Sequence, residues 1–430
     1  MSEFENLPKG WAIAKLGELV ITEKGKKPKR ISKDKTKECS IPYVNIKAFE
    51  KNIIDEYTDG LGCVLCEDDD FLMVWDGSRS GYVGKAIKGA LGSTLVRIKL
   101  PLMNQDYVYY FLQSKFIEIN TRAKGVGIPH VDPNLLWNYD FHIAPLPEQT
   151  RILAKLEQLL TDLDKGIEYL ETTKQQLKVY RQAVLKWAFE GKLTNKDVKD
   201  GELPNGWKTE ILKNICIYIS DGDHLPPPKS KSGIPFITIS DIDNNKIDFS
   251  NTMFMTEQYY ENLKENRKPF KGDILYTVTG SYGIPVLINF EKKFCFQRHI
   301  GLIRPKEYVN QKWLFYLLQS PQILSQANKT ATGTAQKTVA LSALRQFNIP
   351  YCEPKEQEKL VQQIESRLSV CDKIEETIES SLQQAEALRL SIIKKAFEGK
   401  LVPQDPNDEP AEKLLQQLRI ENYELRKKKK

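Results

Sequence analysis

The chain has 430 residues, enough for two or three domains with ample core, and 28% of them are charged, for a formal net charge of +6. This mild basic excess permits a nucleic-acid partner without demanding one. No apolar run approaches the ~18 residues needed to span a bilayer, and MSEFENLPKG has no signal-peptide core, so the expectation is a cytoplasmic protein with no membrane partner.

Seven cysteines at irregular spacing give no disulfide framework. Cys63 and Cys66 form one CxxC, but no second pair or His follows at zinc-ligand spacing, and no metal site is expected.

In chain order, Leu7, Pro8, Gly10 and Trp11 spell LPKGW. From Lys24 to Lys37, eight Lys or Arg stand against the single Asp34. With Pro and Gly among the charges, this is a loop able to neutralise several phosphates. The runs IPYVNI from Ile41, FLMVW from Phe71 and TLVRI from Thr94 are β-branched or aromatic and bounded by Gly and Pro, the pattern of strands. YVYYFLQSKFIEI from Tyr107 reads as a short amphipathic helix, making this part mixed α/β.

A long helix follows from Pro147. Alternating steps of three and four visit Leu156, Leu160, Leu163, Ile167, Leu170, Lys174, Leu177 and Arg181, an apolar seam at coiled-coil period with two polar breaks. Pro147 suits a first helical turn, Glu148 complements the dipole there, and Gly191 supplies the stop. At about 1.5 Å per residue, a helix of roughly forty residues reaches about 60 Å and needs a partner for its seam.

The partner is a second copy. LPNGW recurs at Leu203, IPFITI at Ile234, DILYTV at Asp273, HIGLI at His299 and WLFYLLQSPQIL at Trp313; AFEGKL begins at both Ala188 and Ala396. The second seam holds Ile364, Leu368, Glu375, Ile378 and Leu382, with Ile374 expected to cover for Glu375. The expected fold class is therefore mixed α/β: two tandem globular domains related by a pseudo-two-fold, separated by two long antiparallel coiled-coil helices. The expected boundaries are 1–146, helix 147–192, linker 193–202, 203–354, helix 355–401 and a tail 402–430. Two sites along a rigid line suit duplex DNA.

Gly-rich polar loops complete a candidate reading face in each copy. In the first, the basic segment is joined by GSRSGYVGK from Gly77 and RAKGVGIPHVD from Arg122. In the second, SDGDHLPPPKSKSG from Ser220 is joined by GSYGIP from Gly280, the Arg298 and His299 neighbourhood, and TATGTAQKTVA from Thr330. Candidate DNA contacts are Lys26, Lys27, Lys29, Arg30, Arg79, Lys124 and His130, then Lys229, Lys231, Ser281, Tyr282, Arg298 and Lys337. Lysines suit phosphates, whereas Arg79 and Arg298 suit bidentate guanine contacts.

Catalytic signatures are missing from the sequence. Gly84 and Lys85 precede Ala86, so there is no P-loop. LPPP from Leu225 lacks the Asn or Asp and the aromatic of an adenine methyltransferase motif. Asp273, Glu291 and Lys293 resemble a metal-nuclease set only by chance spacing, and none of the four histidines neighbours a Ser or Cys nucleophile. No catalytic residue is assigned.

LPKGW, the PEQ-headed helix ending in AFEGKL, their repetition and the VPQDPNDEPAEKLL tail resemble the specificity subunit of type I restriction-modification systems. The resemblance covers essentially the whole chain. It implies a non-catalytic DNA-binding subunit with two target recognition domains, each reading half of a split asymmetric sequence on double-stranded DNA. It also implies two modification (methyltransferase) subunits as partners, with two restriction subunits able to join them. S-adenosylmethionine then belongs to the modification subunit, which flips the target adenine, and ATP and magnesium to the restriction subunit; no cofactor is assigned to this chain. One departure is Glu353, Pro354 and Lys355 where the first copy has Pro145, Leu146 and Pro147, which predicts different helix starts. The rival readings are a coiled-coil scaffold that reads no DNA, which leaves the paired basic loops unexplained, and a stand-alone nuclease or methyltransferase, which requires a hidden active site.

Overall fold

The computed structural model describes residues 7–125, 127–195, 197–222 and 228–428. The chain divides into two compact units, Met1–Tyr169 with Ser381–Lys430, and Leu170–Ser380. Each contains one globular part and one half of each long helix.

In the first unit, an antiparallel sheet runs in the order Ile21–Lys24, Leu95–Lys99, Phe71–Val74, Val83–Lys85. Phe71 to Val74 are buried at every position, as a strand covered on both faces requires. A second sheet has the order Tyr57–Thr58, Ile41–Val44, Gly89–Leu91, Leu65–Cys66, with its central pair parallel. Ala12–Lys15 pairs with Asp140–Ile143 separately.

The second unit repeats this plan. Cys216–Asp221, Ile300–Pro305, Ile274–Thr277 and Pro285–Leu287 form the antiparallel sheet. Ile234–Ile237 pairs in parallel with Cys295–Phe296 in the other. The mixed α/β repeat expected from the sequence is thus present in both copies. One difference lies in the helix after the sheets: Gln105–Thr121 is continuous, but its counterpart breaks into Gln311–Leu318 and Pro321–Thr330. Pro321 has no N–H to continue the first of these.

The long helices span Leu146–Phe189 and Pro354–Phe397. Their starts match, contrary to the difference expected from Glu353, Pro354 and Lys355. Both use the same glutamine to satisfy the entering chain: Gln149 Nε2 donates to the Ala144 carbonyl at 2.7 Å and Gln357 Nε2 to that of Cys352 at 2.8 Å. Within each unit the helices run antiparallel. Arg389 pairs with Asp164 in the first unit; in the second, Lys174 meets Glu379 at 2.9 Å and Arg181 meets Glu375 at 3.0 Å. Leu156, Leu160, Leu177, Ile364 and Ile378 are buried, while Leu163, Ile167, Leu170, Leu368 and Leu382 are half-buried. Ile374 does not cover for Glu375: it is 39% exposed, and Glu375 itself occupies the seam because Arg181 neutralises it there.

The repeated end motifs close each unit. Gly399 in the first and Gly191 in the second have φ of +68° and +78°, and a Cβ would lie 2.2 Å from Pro8 Cγ and 2.1 Å from Pro204 Cγ, respectively. Only glycine satisfies both constraints, so each AFEGKL end seats on an LPxGW segment. The tail then adds a helix, Ala411–Lys428, which buries Ala411, Leu414, Leu415 and Leu418 in the first unit's core. Asn422 fixes its far end by donating to the Glu18 and Leu19 carbonyls at 3.1 and 2.6 Å.

Candidate nucleic-acid interface

Each globular part brings distant loops to one junction. In the first unit, the Gly25 N–H donates to the Leu95 carbonyl at 3.0 Å and that of Lys26 to Leu91 at 3.2 Å. A Cβ on Gly25 would sit 2.2 Å from the Gly92 carbonyl oxygen, so glycine lets the basic segment cross the 91–95 turn. The Gly77 N–H donates to Pro129 at 2.8 Å and Val131 to Trp75 at 2.9 Å, bringing the 122–132 loop alongside. Bridges of His130 to both Asp76 and Lys124 complete the join.

The second unit builds the same frame. Gly222 lies against the Phe296 carbonyl, where a Cβ would approach to 2.1 Å. The Gly280 N–H donates to the Lys337 carbonyl at 3.0 Å and Val339 to Val278 at 2.8 Å. Of the Ser220 loop, Asp223–Pro227 lies outside the described residues.

Among the predicted contacts, Lys26, Lys124 and His130 come together at the first junction, and Ser281, Arg298 and Lys337 at the second. Lys26, Lys27 and Lys29 are exposed and form no ion pair among the described residues. Arg30 lies toward Glu38 at 3.7 Å and Asp59 at 4.0 Å, and Arg79 stacks on Tyr82 at 4.1 Å beside Glu50. Lys124 pairs with Asp132 at 2.8 Å and holds that carboxyl below the usual carboxylate range. Tyr282 Oη donates to Asn328 at 2.8 Å. Lys229 and Lys231 are exposed, with Lys229 on a strand of the other sheet.

Sequence reasoning missed the Lys24–Asp76 pair at 2.9 Å and Gln297, whose amide Nε2 is 2.7 Å from His299 Nδ1. Aligning the two repeats across the turns at Gly92 and Gln297 would have marked Gln297; the Lys24–Asp76 pair depends on contact between distant segments and leaves no such signal.

The acidic set proposed as a chance nuclease constellation is structural. Asp273 is buried and pairs with Arg304 at 2.6 Å, just as Asp70 pairs with Arg97 at 2.7 Å in the first copy. Lys293 instead pairs with Glu261 at 3.1 Å, and Glu291 lies 3.7 Å from Lys271. All seven cysteines are free; burial pushes the Cys66 thiol up to about 11, so the CxxC is not a reactive pair. No described helix is long and apolar enough to cross a membrane.

The family model described as the type I restriction modification DNA specificity domain matches residues 8–178 and again 204–384. The chain is 26% identical over 408 residues to the type I restriction enzyme MjaVIII specificity subunit of Methanocaldococcus jannaschii, covering 92% of this chain and 94% of that one. It is 25% identical over 435 residues to the EcoKI specificity subunit of Escherichia coli, covering 93% and 90%. Its fold is that of a chain in a structure describing complex assembly and conformational transition of the type I restriction-modification system, with TM-score 0.70, 19% identity and coverage of 92% and 99%. The HsdS subunit of Thermoanaerobacter tengcongensis gives TM-score 0.55 at 19% identity, covering 93% and 99%. With the domain matched twice over most of its length, the chain belongs to the family of type I restriction-modification specificity subunits.

Proposed function

We propose that the two junctions read two different half-sites of one split DNA target, and that the chain presents this target to methyltransferase subunits. As a specificity subunit it is the DNA-recognition component and not the catalyst, so S-adenosylmethionine is carried by the modification partner, and ATP and magnesium by a restriction partner. The single observation that supports the reading is one backbone frame built twice with different side chains. The first junction carries an exposed run of lysines and a Gly92, Ser93, Thr94 turn; the second carries Gln297, Arg298 and His299. A coiled-coil scaffold without DNA reading has no use for such a pair, and family membership disfavours it.

Two modification subunits, one per globular part, fit the duplicated plan. The long helices offer docking surfaces for them. Tyr180 and Trp187, a heptad apart on one face, are 41% and 48% exposed. Co-expression with the modification subunit encoded alongside, followed by mapping of methylated adenines in the host, tests the proposal. A split asymmetric motif is expected; a stable complex that methylates no defined motif would refute DNA reading.

A further inference from the structure

The turn at Gln297, Arg298 and His299 is held by both sheets of the second unit. The Gln297 N–H donates to the Ile237 carbonyl at 2.9 Å, at the end of the parallel pair. The His299 carbonyl accepts from Val278 N–H at 2.9 Å, beyond the central strand of the antiparallel sheet, and the Ile300 N–H closes the turn on Gln297 at 3.1 Å. The first unit has the same frame: Gly92 N–H to Val44 at 2.9 Å, Trp75 N–H to Thr94 at 2.8 Å, and Leu95 N–H to Gly92 at 3.0 Å. A backbone fixed twice and furnished differently each time is the property a reading position needs, because geometry stays constant while specificity changes.

The side chains define what this position reads. Gln297 Nε2 lies 2.7 Å from His299 Nδ1, and because an amide nitrogen can only donate, Nδ1 accepts and the ring proton sits on Nε2. Burial, then the neighbouring Arg298 charge, pushes the imidazole below its ordinary pKa, in keeping with that neutral form. An amide has two N–H donors and an acceptor oxygen, so this bond leaves one N–H and Oε1, which makes no hydrogen bond among the described residues. That remaining pair matches N7 and the N6 amino group of adenine. Arg298, exposed and without an ion pair among the described residues, has the fork that matches guanine O6 and N7.

Resting on the DNA-reading function above, we infer that Gln297 and Arg298 read an A·T and a G·C pair in the second unit's half-site, with His299 as the positioning residue that fixes the Gln297 amide.

The test uses the full chain co-expressed with its modification subunit and a map of methylated adenines. Gln297→Ala should cost about tenfold or more in discrimination at one A·T position of one half-site, leaving the other half and the gap unchanged. Arg298→Ala should relax one G·C position in the same half. His299→Ala should relax the position that Gln297→Ala relaxes, and His299→Asn, whose side-chain oxygen replaces the Nδ1 acceptor, should restore it. Unchanged motifs in Gln297→Ala and Arg298→Ala would overturn the inference. Equal loss at every position in all four variants would also overturn it, by showing the turn to be structural. A wild-type complex that writes no split motif would instead refute the underlying two-reader function.

Discussion

Arg181 on the first long helix meets Glu375 on the second at 3.0 Å, at the point where both apolar seams are interrupted. Asp372 adds a second carboxylate at 2.7 Å. Polar breaks aligned this way specify register, since a slip would bury an unpaired charge. Arg181→Leu should therefore destabilise by about 1–2 kcal/mol, lowering the thermal midpoint by roughly 2–6 °C. Arg181→Leu with Glu375→Leu should recover most of the loss. A double variant as unstable as the single one would show that the pair itself, and not an orphaned charge, sets the stability.

Glu148 is buried with Oε2 accepting from Trp11 Nε1 at 3.0 Å, and burial raises its carboxyl above the ordinary value of 4.5. A carboxyl whose folded pKa is raised weakens the fold as pH climbs, because the unfolded chain releases the proton first. Glu148→Gln keeps an acceptor for Trp11 and removes the charge. Its stability relative to wild type should rise between pH 4.5 and neutrality. Parallel unfolding curves across that range would mean that Arg151 and its neighbours fully compensate the buried charge.

Lys26, Lys27 and Lys29 lack ion pairs among the described residues and suit phosphates. Replacing all three by Ala should weaken DNA binding by the assembled complex and flatten its log–log salt dependence by up to ~0.9 for each phosphate no longer neutralised. An unaltered slope would remove the segment from the interface. The half-site sequence should stay the same, since phosphate contacts position without specifying.

The tail helix completes the first unit's core, with Leu418 fully buried. Leu418→Ala should cost about 2–4 kcal/mol, read by denaturant unfolding of the whole chain. Asn422→Leu should also destabilise, by leaving the Glu18 and Leu19 carbonyls without their side-chain donor. If neither variant shifts the transition, the helix is an appendage and not part of the core.

Much of the architecture was legible in the sequence because periodicity and repetition are local signals. The seam through Leu156, Leu160 and Leu177 and the recurrence of AFEGKL gave the helices and the duplication. What stayed hidden depended on contacts between distant segments. Nothing local shows that Gly399 seats on Pro8, that Arg181 neutralises Glu375 and leaves Ile374 exposed, or that Asp273 belongs to Arg304. The junction was half legible: its loops stood out as Gly-rich and polar. Gln297 did not, because its significance comes from the His299 ring beside it and from two sheets that meet there.

Whether each junction reads its own half of one target is decided by exchanging a single globular part. Residues 208–351 are replaced by the corresponding part of the EcoKI specificity subunit, the hybrid is co-expressed with the modification subunit, and methylated adenines are mapped. A split motif in which one half changes and the other is retained is expected. A motif altered in both halves, or in neither, would contradict the two-reader function.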